Sequence, residues 1–399
     1  MTRACLSLLV VCMMTTAVAS AQPVARPKAT SPTRTDGSVA PKTPASARSP
    51  LMAKANAARE AGELEQAVAL YRQVLAATPR SRETLFYLGT SLYELQRWSD
   101  ARATFDRLVR LDKTNVQALA FRGICTFKLG QYPEALADLT TARAQGIGAH
   151  PEIGPAVRFH AGMVLTRLSQ FELALNTLAE FALEGNDAPQ IIEALGIAAL
   201  RMPLLSTELP AEKREMVMMA GRASYFMAMR LVPAARTSFE ELILRYPDVP
   251  NAHYAFGVFL LADDADRALK EFERELAIQP GHAASHIQMA YEYLKRGDHA
   301  AARPHAERAV TLAPTDFVTH RLMGQVQLEQ GQVEAAITSL EQSRTLEPKS
   351  PMVHFTLAKA YARAGRDAEA EKARAEFTRL DRLSRLQRNG STALGGITP

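Results

Sequence analysis

From residue 51 onward, apolar positions recur every three to four residues, the period of helices that bury one face and leave the other in water. These amphipathic stretches come in pairs, each pair joined by a short polar turn such as Gln96-Arg97, Gly130-Gln131 or Gly331-Gln332. The pairs repeat with a period of 34 residues, most clearly over 83–112, 117–143 and 318–348. The pattern predicts a succession of helical hairpins.

Small residues mark where the two helices of each hairpin cross, because a longer side chain there would hold the helices apart. In the first helix the position holds Gly89, Gly123, Gly162, Ala223, Gly257, Ala290, Gly324 and Ala358. In the second it holds Ala67, Ala101, Ala135, Ala174, Ala235, Ala268, Ala302, Ala336 and Ala370, without exception. One turn later on the same face stands a bulky residue in most repeats: Tyr71, Phe105, Leu139, Leu178, Phe239, Phe272 and Leu340. Twelve residues after the alanine, Pro79, Pro247, Pro280, Pro314 and Pro348 end the second helix, since proline lacks the N–H that would continue it. Some repeats depart from the pattern. Lys113, Ile147 and Asn186 replace the terminal proline, residues 144–157 lengthen one connection, and a residue is missing between Gly257 and Ala268. Residues 189–215 begin as a first helix, with Gly196 in the small position, then break at Pro203 and Pro210 with no standard second helix.

With these residues placed, the chain resembles the tetratricopeptide repeat family from about residue 51 to about residue 377. The resemblance implies an all-α fold: a right-handed α-solenoid of stacked helix-turn-helix hairpins, nine regular units and one irregular one. The expected organisation is a signal peptide (1–21), a disordered Pro-rich tether (22–50), an N-terminal array (51–186) and an irregular helical insert (187–215). A C-terminal array (216–377) and a capping helix with tail (378–399) follow. In the family the first helices line a concave groove. Carried over, the groove positions hold Phe86, Thr90 and Tyr93, then Ala120, Ile124 and Phe127, then Phe159, Met163 and Thr166. Further along they hold Ser224 and Met227, Tyr254 and Val258, Ile287 and Tyr291, Arg321 and Gln325, Phe355 and Lys359. The candidate partner contacts are Phe86, Tyr93, Phe127, Phe159, Met163, Met227, Tyr254, Tyr291, Arg321 and Lys359. An apolar and aromatic strip that turns polar and basic towards its C-terminal end suits a protein or peptide segment with apolar anchors.

Charge at first points elsewhere. The 399 residues include 47 Lys and Arg against 42 Asp and Glu, a net of +5, which raises nucleic acid or an anionic membrane as partners. The surplus lies entirely in Arg3 and in residues 22–50, leaving residues 51–399 neutral. Neither partner is expected once that is seen, because no stripe of basic residues interleaved with aromatics runs through the repeats. The first residues read as an export signal: Arg3, an apolar core from Leu6 to Met14, and an Ala19-Ser20-Ala21 cleavage site. Anchoring through Cys12 is disfavoured because Val11 fills the position where a lipobox has a small residue. A periplasmic or secreted protein is expected. After cleavage only Cys125 remains, on an apolar helix face, where a buried and inert thiol is expected.

No phosphate-binding glycine loop, dinucleotide fingerprint, zinc-protease helix or nucleophile elbow is present. His253, His286, His320 and His354 recur at one repeat position every 33 or 34 residues. Successive helices lie about 10 Å apart, so this ladder does not converge on one ion, and a packing role is expected. His282 and His286 share a helix face without a third ligand. Acidic residues, as in the run from Glu271 to Glu275, read as solvated helix faces. Arg379, Arg382, Arg385 and Arg388, with Leu380, Leu383 and Leu386 between them, read as a capping helix. The sequence therefore predicts a non-enzymatic interaction scaffold of the cell envelope, with no catalytic, cofactor or metal residues. The alternatives are a structural adaptor of an envelope or secretion assembly and a glycan-binding or enzyme-accessory module using Tyr254 and Tyr291.

Overall fold

The computed structural model describes residues 50–393, with side chains as far as Arg385. The expected signal peptide, the tether up to residue 49 and the side chains of Leu386 and Arg388 lie outside what is described. The chain divides between Thr114 and Asn115 into two compact units, and among the described residues every regular element is helical.

The first unit holds two hairpins, α1 (Pro50–Glu60) with α2 (Leu64–Ala77) and α3 (Arg82–Glu94) with α4 (Trp98–Leu111). Their crossing follows the small-residue rule. Ala67 and Ala101 are fully buried, and a Cβ on Gly89 would come within 2.7 Å of the Phe105 ring. The turn between α3 and α4 needs a left-handed residue, which here is Gln96 at φ 57°.

The second unit begins with α5 (Val116–Lys128), α6 (Tyr132–Ala144), α7 (Gly154–Arg167) and α8 (Phe171–Leu183). The solitary α9 (Pro189–Ala199) comes next, followed by α10 (Arg214–Ala228) and α11 (Val232–Arg245). Then come α12 (Ala252–Leu260), α13 (Ala265–Ile278), α14 (Ala283–Lys295) and α15 (His299–Leu312). The last are α16 (Phe317–Glu329), α17 (Val333–Leu346), α18 (Pro351–Arg363) and α19 (Asp367–Ala393). The result is an all-α solenoid of stacked hairpins. All nine second-helix alanines are at 0% exposure, and the bulky residue one turn on is buried in every repeat that has one. Where the first helix carries Ala290 in place of glycine, the second-helix position one turn on is Ala306, also fully buried.

The histidine ladder has a specific job. A helix stopped by proline leaves its last carbonyls without intrahelical donors. The Nε2–H groups of His253, His320 and His354 donate to the carbonyls of Pro247, Pro314 and Pro348 at 2.9, 2.8 and 2.8 Å. Each ladder histidine thus ties the start of a first helix to the end of the second helix before it.

Two elements differ from expectation. Residues 378–393 do not form a separate cap, because α19 runs unbroken from the last repeat to Ala393. Along this helix Leu380 is buried while Leu383 is 45% exposed, and Arg379 and Arg385 pair with Glu376 and Asp381. The irregular unit, moreover, does have a partner helix. Every residue from Ile191 to Leu200 is buried, and α9 lies against α10, which also serves as first helix of the α10–α11 hairpin. The crossing is backbone on backbone: a Cβ on Gly196 would stand 1.9 Å from the Val217 carbonyl oxygen, and one on Gly221 1.9 Å from that of Ile192.

Candidate functional site

The ten candidate contacts can be placed one by one. In the first unit Phe86 and Tyr93 are half-buried, Phe86 edge-on to Tyr87 and Phe105, and Tyr93 edge-on to Trp98 at 5.2 Å. In the second unit half-buried Phe127 and Phe159 pack on the apolar cluster shared by α7, α8 and α9. Phe127 also meets His160 at 5.0 Å. Burial pulls the His160 imidazole down to about 4, so it is neutral near pH 7, and it hydrogen-bonds to the Ala156 carbonyl. Met227 is half-buried against the α11–α13 core.

Three candidates are corrected by burial: Met163 at 3% exposure, Tyr254 at 8% and Arg321 at 2%. Met163 belongs to the core that encloses α9. Tyr254 lies beneath the Arg201 guanidinium, 5.4 Å from its ring centre, and edge-on to His282 at 4.8 Å. Arg321 donates from Nη2 to the Tyr291 hydroxyl and rests 5.5 Å over that ring. A position facing the groove side in a repeat pattern is covered when the next helix or connection comes close enough, and spacing along the chain does not report that distance. A sugar-stacking role for Tyr254 is excluded by the same burial.

The C-terminal hairpins keep the open face. Ile287, Tyr291 and Gln325 are half-buried, while Phe355, 36% exposed, and Lys359 reach solvent on α18. The Lys359 ammonium sits 4.5 Å from the centre of the Phe355 ring, and Phe355 leans on Phe377 of α19. This is an apolar platform with a cation beside it.

A second assembly, with no counterpart in any motif, gathers around the connection after α9. Arg201, in the left-handed region at φ 51°, pairs with Glu172 at 2.5 Å and lies over the Phe171 ring at 4.9 Å. Asn251, also left-handed at φ 70°, donates from Nδ2 to the Leu200 carbonyl. Because Asn251 turns away from α12, its side chain does not cap that helix. The fully buried Glu275 does so instead, accepting from the backbone N–H groups of Asn251 at 2.8 Å and Tyr254 at 3.2 Å. Glu271, 8% exposed, accepts from His253 Nδ1 at 2.6 Å. The expectation that the run from Glu271 to Glu275 is a solvated face is therefore corrected for both ends of the run. α12 starts on Asn251, a residue type that ordinarily caps, so nothing in the sequence announces the outside carboxylate. Burial, aided by the Arg201 charge, pulls His282 down to about 4.

The carboxylates of this assembly each accept from a donor fixed by the fold, Glu275 within the core and Glu271, with His253, at the wall of a cleft between α11 and α13. Among the described residues no group of three or more His, Cys, Asp or Glu is placed to hold a metal ion. None of the described helices is long and apolar enough to cross a membrane. Cys125 is buried and its thiol is pushed up to about 12 by that burial, which makes it a poor nucleophile. Clefts open beside the second helices as well. One of about 810 Å³ between α11 and α13 has Ile243, Leu244, Lys270 and Arg274 in its walls, and Leu244 is 83% exposed.

Stacked helical hairpins with a partly open first-helix face define a repeat protein of the interaction-scaffold class. The chain belongs to the tetratricopeptide repeat family: one model described as Tetratricopeptide repeat matches residues 52–116 and 221–283, and a second matches 293–351 and 327–382. The matched stretches leave out residues 117–220, where α9 lies. Proteins of this fold are in general non-catalytic interaction modules with protein partners. Among curated proteins, none matches the chain at a significant level. Similar solved structures include MamA 41-end from Desulfovibrio magneticus RS-1, 21% identical over 42% of this chain and 96% of its own, with a TM-score of 0.39. Another is yeast Tom70, 13% identical over 86% of this chain and 87% of its own, with a TM-score of 0.36.

Proposed function

We propose that the protein is a non-enzymatic scaffold exported to the cell envelope, which holds a partner segment along the first helices of its C-terminal hairpins. The observation that carries this reading is the pairing of Phe355 and Lys359 on α18, an exposed aromatic with a cation over its ring. Half-exposed Gln325 and Tyr291 continue that face on α16 and α14. A peptide with an apolar anchor and an acidic neighbour matches that chemistry. Export is supported by the Arg3, Leu6–Met14 and Ala19-Ser20-Ala21 pattern.

A photo-crosslinking residue at position 355, introduced in the native host, is expected to trap a discrete partner. Lys359→Glu is expected to weaken the adduct. The exposed Leu244 in the α11–α13 cleft favours a second reading, a structural adaptor bound on the second-helix side. An adduct at position 244 and none at 355 would establish that reading and overturn the first. Fractionation that leaves the protein with the cytoplasm would overturn export independently.

A further inference from the structure

Two histidines meet between α14 and α15. His286 is the ladder residue of its repeat and hydrogen-bonds to the Pro280 carbonyl, as its equivalents do with Nε2–H. That bond leaves the lone pair on Nδ1. Nδ1 of His286 lies 3.0 Å from Nδ1 of His305, with the ring centres 5.2 Å apart. His305 follows Pro304, a proline inside α15, and its other face is covered by the Tyr293 ring at 5.7 Å in a nearly parallel stack. Both rings are thus oriented by contacts outside the pair. Sequence spacing set His286 beside His282 and did not bring in His305, because His305 is not on the ladder.

Two imidazole nitrogens this close share a proton along the line between them or hold a cation set to one side of it. An ion about 2.1 Å from each nitrogen would see the 3.0 Å edge under an angle of about 90°. That is the angle between neighbouring ligands of a tetragonal or octahedral metal. A ligand histidine characteristically donates its other N–H to a carbonyl, which fixes the tautomer, and His286 does this towards Pro280. Imidazole ligands suit Cu²⁺, Ni²⁺ and Zn²⁺, whereas Mg²⁺ and Ca²⁺ prefer oxygen. The charged and titratable neighbours of the pair are Arg308 on α15 and His282, the N-cap of α14. Neither supplies a carboxylate, so water would complete the coordination, and because the Arg308 charge works against any cation the site needs an ion of high intrinsic affinity for nitrogen.

We propose that His286 and His305 form a two-imidazole site for a borderline transition-metal ion, Cu²⁺ foremost, that clips α14 to α15. Such an ion would bind the folded hairpin and not the unfolded chain, and so would raise its stability.

The test is calorimetric titration of the untagged, EDTA-stripped protein with Cu²⁺ and with Zn²⁺, alongside thermal melts. One equivalent of saturable Cu²⁺ binding is expected, with a higher melting temperature and an electron paramagnetic resonance spectrum showing two nitrogen ligands. His305→Ala leaves the ladder bond of His286 intact, and it is expected to abolish both the binding and the shift while the metal-free melt stays cooperative. His320→Gln, at a ladder position whose histidine bonds the Pro314 carbonyl, should bind as the parent does. Absence of one-equivalent binding would overturn the proposal and leave a shared proton as the whole of the contact. Binding that survives His305→Ala, or disappears in His320→Gln, would overturn it equally.

Discussion

The regular hairpins and the α9–α10 crossing both solve the problem of bringing two helices close, and they do so at different distances. At Gly89, Gly162, Gly257 and Gly324 the space a Cβ would take is occupied by the ring or branch of the bulky second-helix residue, at 2.6–2.7 Å. Side chains there can turn aside, and the repeats show it: Ala223 occupies the same slot opposite a buried Phe239. At Gly196 and Gly221 the space is occupied by backbone carbonyl oxygens at 1.9 Å, reciprocally. Backbone has nowhere to turn. The regular hairpin is therefore a tolerant, repeatable joint, and the central crossing is a single joint that admits only glycine on both sides.

The sharpest way to break this contrast is to add one methyl group to each kind of joint. Gly196→Ala or Gly221→Ala should cost about 3–5 kcal/mol or prevent folding, because the helices must separate. Gly324→Ala should fall within about 1 kcal/mol of zero, overpacking against Leu340 being offset by alanine's helix propensity. Urea denaturation of the three variants checks this, and equal losses at Gly196 and Gly324 would erase the distinction.

A smaller effect separates the caps of the two regions. Regular helices such as α15 begin on their own aspartate, Asp298 accepting from the Ala301 N–H, and Asp298→Ala should cost about 1 kcal/mol. α12 depends on Glu275 from the next helix, so Glu275→Ala strands two backbone donors and should cost about 2–3 kcal/mol. Denaturant midpoints of the pair give the comparison directly.

The smallest effect is in pH. Burial works against the charged form of His253, but the Glu271 hydrogen bond, the Pro247 carbonyl and the Glu271 and Glu275 charges outweigh it and raise its pKa. A raised folded pKa means stabilisation that is fully present below the unfolded value of about 6.5 and lost as pH climbs through the folded one. The gap in melting temperature between the parent and His253→Gln should therefore be wider at pH 5.5 than at pH 8.5. Glu271→Gln should flatten that dependence, reducing His253 to the carbonyl contact that His320 and His354 make.

Much of the fold is legible in the chain because the repeat poses one packing problem many times. Nine alanines at one spacing, a bulky residue one turn on and a proline at the end place each hairpin without knowledge of its neighbours. The candidate site was legible only in part. Phe355 and Lys359 are exposed as the repeat positions suggested, whereas Met163, Tyr254 and Arg321 occupy equivalent positions and are buried. Glu275 and Arg201 had no motif to announce them, since each meets partners contributed by other helices and connections.

The division follows whether an interaction recurs with the repeat. Helix identity, hairpin register and the class of protein arise from contacts within about one repeat length, so they are written in residue type and period alone. The glycine-on-glycine crossing, the capping of α12 from α13, the burial of Tyr254 under Arg201 and the meeting of His286 with His305 all join groups whose spacing obeys no repeat rule. They exist only once the irregular turn after α9 and the stacking of particular hairpins have set which backbones and side chains lie within a few ångströms of each other.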